Sequence, residues 1–298
     1  MEARAYRQRT RDGVELSILR YAGEPRYGTP VLLTHGTFSN ATVCTRLAAY
    51  LCDAGFDCWI LELRGHGRSA AGNALPDFEW FSEYDLPAAL DTVRRITGKP
   101  GVLALGHSGG GLIFLMHLAR YPTARAQVTG LVTLAAQATA AGASWSGRTK
   151  ISLFALGTRV LGYTPGPLFG FGPQNEFAPV IGQWCGWNRR GRWIGRDGFD
   201  YLTALGELTA PALCLAGSGD RFIAPVAGCR ALFDALGTAD KAFVECGTAH
   251  GFAEDYTHAR LIASRPAREE IWPLVRDWLV RHATRTAEAA GAAVTRTL

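Results

Sequence analysis

Three residues in a set order carry the chemistry available to this chain: Ser108, Asp220 and His250. Ser108 is the centre of Gly106-His107-Ser108-Gly109-Gly110, a G-x-S-x-G pattern. The apolar run Val102-Leu103-Ala104-Leu105 leads into it, and a stretch of helical character from Gly111 to Leu118 leads out. At such a strand-to-helix junction the pattern reads as a nucleophile elbow, which lifts the serine oxygen above the sheet edge. The turn is too sharp for side chains on either side, so Gly fits at 106 and 110. The elbow also aims the first amides of the following helix at the reacting oxygen. The pattern alone is weak: with 35 Gly in 298 residues it arises by chance roughly 0.2 times if serine is about 5% of the chain. The rest of the sequence must supply a base, an acid and an oxyanion donor.

Asp220 lies four residues beyond an apolar strand ending at Ala216, in the glycine-bearing loop Gly217-Ser218-Gly219-Asp220. A carboxylate there reaches the sheet edge; the plainer alternative is an Asp that only caps the helix beginning at Val226. No Asp or Glu occurs between Ala124 and Asn175, so no acid follows the strand at 128–134, and Glu176 is the next carboxylate. His250 follows the last strand, in Gly247-Thr248-Ala249-His250-Gly251. A neutral imidazole there accepts the serine proton while the carboxylate fixes its tautomer. The other six histidines fit less well. His35 and His66 lie beside glycines in turn motifs, and His107 adjoins the serine on a turn that points it elsewhere. His117 falls in an apolar helix, and His258 and His282 lie on later helical stretches. The oxyanion hole requires two N–H donors. Gly109 is the first; Thr37, in the loop after Val31–Thr34, is the second, with Phe38 as its alternative.

The elements that must position these groups alternate. A hairpin is expected around Arg11-Asp12-Gly13, then strands at 30–34, 57–63, 102–105 and 128–134, with helices over 43–54, 81–97 and 111–120 between them. The alternation resumes with strands at 211–216 and 241–245 and helices at 226–236 and 268–282. This calls for an α/β fold, a mostly parallel sheet with helices on both faces and right-handed crossovers. The core is expected over 1–136 and 207–283, with a disordered tail at 284–298. Residues 137–206 break the pattern and are rich in Gly, Pro, Trp and Phe. As an inserted cap they would roof the strand ends, and Phe38, Trp145, Trp184 and Trp187 would line an apolar substrate pocket.

Composition excludes several classes. The chain is 48% hydrophobic and 19% charged, and its net charge of +5 comes from scattered Arg rather than a basic stripe, which argues against nucleic acid. Arg64-Gly65-His66-Gly67-Arg68-Ser69 lacks the lysine spacing of a phosphate loop and reads as a turn whose two arginines pair with carboxylates. The seven cysteines include no C-x-x-C pair and suit reduced core thiols. There is no leader-like apolar stretch and no run long enough to span a membrane, so a cytoplasmic location is expected. No metal or cofactor is implied, and oligomeric state is not legible.

Four motifs together resemble the α/β-hydrolase superfamily: His35-Gly36, Arg64 to Ser69, Gly106 to Gly110, and Asp220 with His250. The resemblance covers about Ala5 to His282. Trp80-Phe81-Ser82-Glu83-Tyr84-Asp85-Leu86-Pro87-Ala88 and Ala54-Gly55-Phe56-Asp57-Cys58-Trp59 are similar to segments of acid lipases, and the chain resembles bacterial relatives of the acid-lipase and S33-type hydrolases. It differs from acid lipases in carrying Gly109 after the serine and in its shorter cap. The resemblance implies the α/β-hydrolase fold and a serine hydrolase acting on a small ester or lipid-like substrate through an acyl-enzyme. An acyltransferase, thioesterase or peptidase on the same triad, or a non-catalytic binding member of the fold, are the alternatives.

Overall fold

The hairpin signal opens the sheet. In a computed structural model, which describes residues 3–284, β1 (Arg4–Arg9) and β2 (Glu15–Tyr21) pair antiparallel across a turn where Gly13 adopts φ 89°. The fully apolar runs become the buried strands β3 (Val31–Thr34), β4 (Cys58–Glu62), β5 (Val102–His107) and β6 (Val128–Leu134). Between them lie α1 (Thr42–Asp53), α2 (Phe78–Trp80), α3 (Leu86–Thr97) and α4 (Gly109–Arg120). The segment after β6 leaves the sheet and forms α5 (Trp145–Leu161), β7 (Tyr163–Thr164), α6 (Gly166–Phe169), β8 (Glu176–Phe177), α7 (Ala178–Arg190) and α8 (Tyr201–Ala204). The chain then returns as β9 (Ala212–Gly217), α9 (Val226–Ala235), β10 (Lys241–Cys246), α10 (Arg260–Ala263) and α11 (Arg265–His282).

The eight-stranded sheet runs β1-β2-β4-β3-β5-β6-β9-β10. All pairs from β4 to β10 are parallel. Strand alternation sends Val102 and Ala104 into one core and Leu103 and Leu105 into the other. The first core holds Leu90 and Val93 of α3 with Leu112 and Leu115 of α4; the second holds Leu47 and Leu51 of α1 with Ile271 and Val275 of α11. From β3 the chain steps outward to β4, then returns to the other side of β3 as β5. Loops leaving β3 and β5 therefore diverge and open a crevice at their C-terminal ends, where ligands bind in open α/β sheets.

The helix expected over 81–97 is longer at its start and is interrupted. Asp77 caps α2 by accepting from Trp80 N–H at 3.1 Å, a π-helical turn covers Phe81–Asp85, and α3 follows. Pro87 has no N–H to continue a regular ladder, so the extra residue of a π turn fits there. That turn also aims Asp85 at Arg64. Arg64 Nε donates to Asp85 at 2.7 Å and its backbone N–H at 2.9 Å, while the guanidinium forks onto Asp12 and lies against the rings of Trp80 and Tyr84. Both Arg64 and Asp85 side chains are fully buried. Asp85→Ala is expected to cost about 3 kcal/mol, because it takes the fully buried one of two carboxylates from a buried guanidinium and leaves Arg64 Nε and its backbone N–H without that acceptor; urea unfolding measures it. Arg68 behaves otherwise than expected: it meets Glu62 through its backbone N–H, at 3.1 Å.

All seven cysteines are buried. No helix among the described residues is long and apolar enough to cross a membrane. The tail expected over 284–298 lies outside the described residues except for Thr284, whose carbonyl accepts from Gly28 N–H at 2.6 Å. Large apolar side chains are exposed mainly on the segment 145–171, including Trp145, Leu153, Leu156, Val160, Leu168 and Phe169.

Candidate active site

Ser108 stands between β5 and α4, at the switch point. Its backbone sits at φ 55°, ψ −122°, the strained geometry of a tight strand-to-helix turn. Gly at 106 and 110 is required by close packing: an added Cβ would come 2.4 Å from Gly111 N at the first and 2.6 Å from the Thr34 carbonyl at the second. Ser108 N–H donates to the Leu134 carbonyl of the neighbouring strand at 2.8 Å, which ties the elbow to the sheet.

The imidazole facing Ser108 belongs to His258. The Ser108 hydroxyl donates to His258 Nε2 at 2.8 Å, and His258 Nδ1–H donates to Asp220 Oδ2 at 2.5 Å. The expectation for His250 is therefore corrected. His250 ends a short 3-10 turn, its side chain is half exposed, and its nearest acidic partner is Glu245 at 3.6 Å. The reason is the course of the chain beyond β10. Thr248 N–H and Oγ1 both donate to Asp255, at 2.8 and 2.9 Å, closing a loop that carries His250 outward. The returning chain docks beside β9: Tyr256 N–H donates to the Cys246 carbonyl, and Gly219 N–H to the Tyr256 carbonyl at 3.0 Å. That docking sets His258 beside Asp220, just before α10. The sequence signal for it was weak: a second histidine eight residues downstream, placed too early in a helix.

Asp220 is where the sequence put it, on the loop after β9. Its Oδ1 also accepts from Ile223 N–H at 3.1 Å. Burial pushes this carboxyl upward, but the hydrogen bond and charge of His258, with the amides of Ala224 and Ile223, outweigh burial and hold it below its ordinary value. His107 packs against His258, and its Nε2–H donates to the His258 carbonyl at 3.1 Å. Burial, and the proximity of His258, lower its pKa to about 3, so the His107 ring is neutral.

Thr37 and Gly109 meet over the serine. A Cβ added at Gly36 would lie 2.7 Å from Ser108 Cβ and 3.2 Å from Gly109 N, and one added at Gly109 would lie 3.4 Å from Thr37 N. Neither amide donates to a backbone acceptor among the described residues. Phe38 N–H, the alternative donor, is taken by Glu176 at 3.1 Å. His35 supports this loop from below: Leu63 N–H donates to its Nε2 at 3.2 Å, and its Nδ1–H donates to the Gly36 carbonyl at 2.8 Å. Burial, with His66 nearby, lowers its pKa to about 3, in keeping with that neutral tautomer.

Above these groups is a cavity of about 290 Å³ lined by Phe38, Leu112, Phe154, Ile181, Trp184 and Phe222, among others, with Ser108 in its wall. Phe38 and Trp184 thus face it. Trp145 and Trp187 do not, which corrects the expectation for both. Trp145 is the first residue of α5 and is 83% exposed. Trp187 is instead buried against Phe78 and Trp193, with its indole N–H donating to the Ile194 carbonyl at 2.8 Å. An α7 turn of 3.6 residues separates Trp184 from Trp187 by about 300°, so other neighbours decide which one meets the cavity. No group of acidic, cysteine or histidine side chains among the described residues is arranged to hold a metal ion.

This topology, with a serine elbow at the sheet's switch point and a helical segment above it, is the α/β-hydrolase fold, and residues 29–163 match the family model described as alpha/beta hydrolase fold. The chain thus has the α/β-hydrolase fold, and its likenesses run to lipases and esterases. It is 35% identical over 105 residues to Lipase lipl-3 of Caenorhabditis elegans, a match covering 30% of this chain and 26% of that one. It is 32% identical over 124 residues to gastric triacylglycerol lipase of Bos taurus, covering 37% and 31%. The matches therefore span about a third or less of those lipases' own lengths. Among solved structures, a thermophilic esterase from Thermogutta terrifontis superposes with TM-score 0.65 at 19% identity, covering 94% of this chain and 100% of that one. A monoacylglycerol lipase from Paleococcus ferrophilus superposes with TM-score 0.64 at 20% identity, covering 90% and 99%.

Proposed function

We propose that the protein is a carboxylic-ester hydrolase working through an acyl-enzyme, with Ser108, His258 and Asp220 as its triad. The observation that carries this reading is the unbroken relay from the Ser108 hydroxyl through His258 to Asp220. Ser108 Oγ attacks the ester carbonyl as His258 Nε2 takes its proton. Asp220 holds the tautomer and stabilises the imidazolium. The Thr37 and Gly109 amides receive the developing oxyanion. His258 then protonates the leaving alkoxide, and water repeats the sequence to release the acid.

A small apolar cavity supports an ester with a short or medium acyl chain, since about 300 Å³ is the lower end for ligand pockets. The exposed apolar face of 145–171 and the lipase likenesses favour a lipid-like alcohol or acyl part. A fluorophosphonate probe is expected to label wild-type protein at Ser108, read by peptide mass spectrometry. Lack of labelling, with no turnover of p-nitrophenyl butyrate, would favour a binding protein on this fold. Product analysis with water against added alcohol or thiol acceptors separates hydrolysis from acyl transfer. Trp184→Ala enlarges the cavity and should shift preference toward longer acyl chains by about tenfold in kcat/KM ratio, the scale of one or two methylenes; a chain-length series of nitrophenyl esters measures it.

A further inference from the structure

Glu176 is a buried carboxylate that the proposed reaction does not use. It starts β8 in the cap and is 1% exposed. Three donors converge on it: Phe38 N–H at 3.1 Å and His66 Nε2 at 3.2 Å reach Oε2, and Phe177 N–H at 3.0 Å reaches Oε1. His66 is itself buried in the loop after β4, and its Nδ1 lies 3.0 Å from the Arg64 carbonyl. Both ring nitrogens of His66 thus face groups that only accept, which suits the imidazolium. Burial opposes that charge, but Glu176 outweighs it and raises the pKa of His66.

Phe38 is the residue these contacts restrain. It holds φ 62°, a left-handed backbone that costs a bulky residue on the order of 1–3 kcal/mol and persists only when its surroundings over-determine it. The cap grips both sides of it: Glu176 takes its N–H, and its carbonyl accepts from Gln174 N–H at 3.0 Å. The cap backbone also approaches closely, since a Cβ at Gly172 would lie 2.2 Å from the Phe38 carbonyl oxygen. The peptide that Glu176 fixes is the one joining Thr37 to Phe38, so the carboxylate sets the direction of the residue whose own amide lies over Ser108.

We infer that Glu176, braced by His66, is a positioning residue: it locks the cap onto the oxyanion loop and holds Thr37 N–H where the transition state needs it. The inference rests on the ester-hydrolase reading. A donor that matters only in the transition state shows in kcat and not in KM.

The test uses the full chain with p-nitrophenyl butyrate and an alkylboronic acid, whose tetrahedral serine adduct mimics the oxyanion. Glu176→Gln keeps the volume but turns an NH2 toward a donor. It is expected to lower kcat about 10²-fold with KM within twofold, and to raise the boronate Ki by a similar factor. His66→Gln should act in the same direction, and the double variant should be no worse than Glu176→Gln, because the two side chains work as one brace. If Glu176→Gln does not fold, as judged by circular dichroism, His66→Gln alone carries the test with the same kcat and Ki readouts. Wild-type kcat and Ki in the folded variant overturn the inference, as does a rise in KM at unchanged kcat. A wild-type protein that turns over no ester and takes no fluorophosphonate overturns the hydrolase reading and this inference together.

Discussion

Ser108→Ala is expected to lower kcat for p-nitrophenyl butyrate by a factor of about 10⁶, with folding unchanged. The substitution removes the hydroxyl that meets the His258 imidazole beside the Thr37 and Gly109 amides, neither of which donates to a backbone acceptor among the described residues. Folding should survive because the elbow is held by contacts that do not involve the hydroxyl: Ser108 N–H to the Leu134 carbonyl, and the close packing at Gly106 and Gly110. Alanine inherits the same strained φ, so the change is neutral for the turn. Activity above the uncatalysed rate should remain, from substrate binding and the two amides alone, at roughly 10³–10⁴-fold. Steady-state kinetics on purified variant measures the loss. Turnover at the wild-type rate would overturn the assignment of Ser108.

The second large effect separates two histidines eight positions apart. His258→Ala is expected to cost about 10⁶ in kcat, much as loss of the serine does, because the two act as a unit. His250→Ala should leave kcat and KM within twofold. His250 is half exposed and nearest Glu245 at 3.6 Å, a surface pairing worth under about 1 kcal/mol. The pair of variants should be assayed side by side with fluorophosphonate labelling. Labelling of Ser108 should become slow in His258→Ala and stay fast in His250→Ala. The reverse pattern would place the base on the loop tip, and would require the chain after β10 to rearrange.

These two expectations show which parts of the molecule local pattern could reach. The strands were legible because each is a short apolar run bounded by turn residues, and burial on both faces of a parallel strand leaves that trace. The serine was legible for the same reason: G-x-S-x-G between a strand and a helix is a local arrangement, and both glycines answer to contacts within the elbow or with the adjoining strand. Asp220 followed because a carboxylate four residues past a strand end cannot stray far from that end. The single helix expected over 81–97 was less secure. Its apolar periodicity is real, but Pro87 and the buried pair Arg64–Asp85 together favour a π turn inside it. Arg64 is more than 20 positions away, so no window along the helix contains it.

What the sequence by itself determined is the alternation of the core, the serine at its strand-to-helix turn, the carboxylate on the loop after β9, and the aromatic segment that follows β6. Tertiary structure alone decided which imidazole completes the relay and which aromatics face the serine. His250 and His258 both lie in the loop between β10 and α10, and both are within reach by chain length. The choice is made by Thr248 closing on Asp255 and by Tyr256 docking against Cys246 and Gly219, contacts between separate segments. Trp184 and Trp187 sit on one helix, and the packing of Phe78 and Trp193 around Trp187 turns the other toward the cavity. In each case several residues of the right type were present, and free energy of packing across the fold, which no local window holds, selected among them.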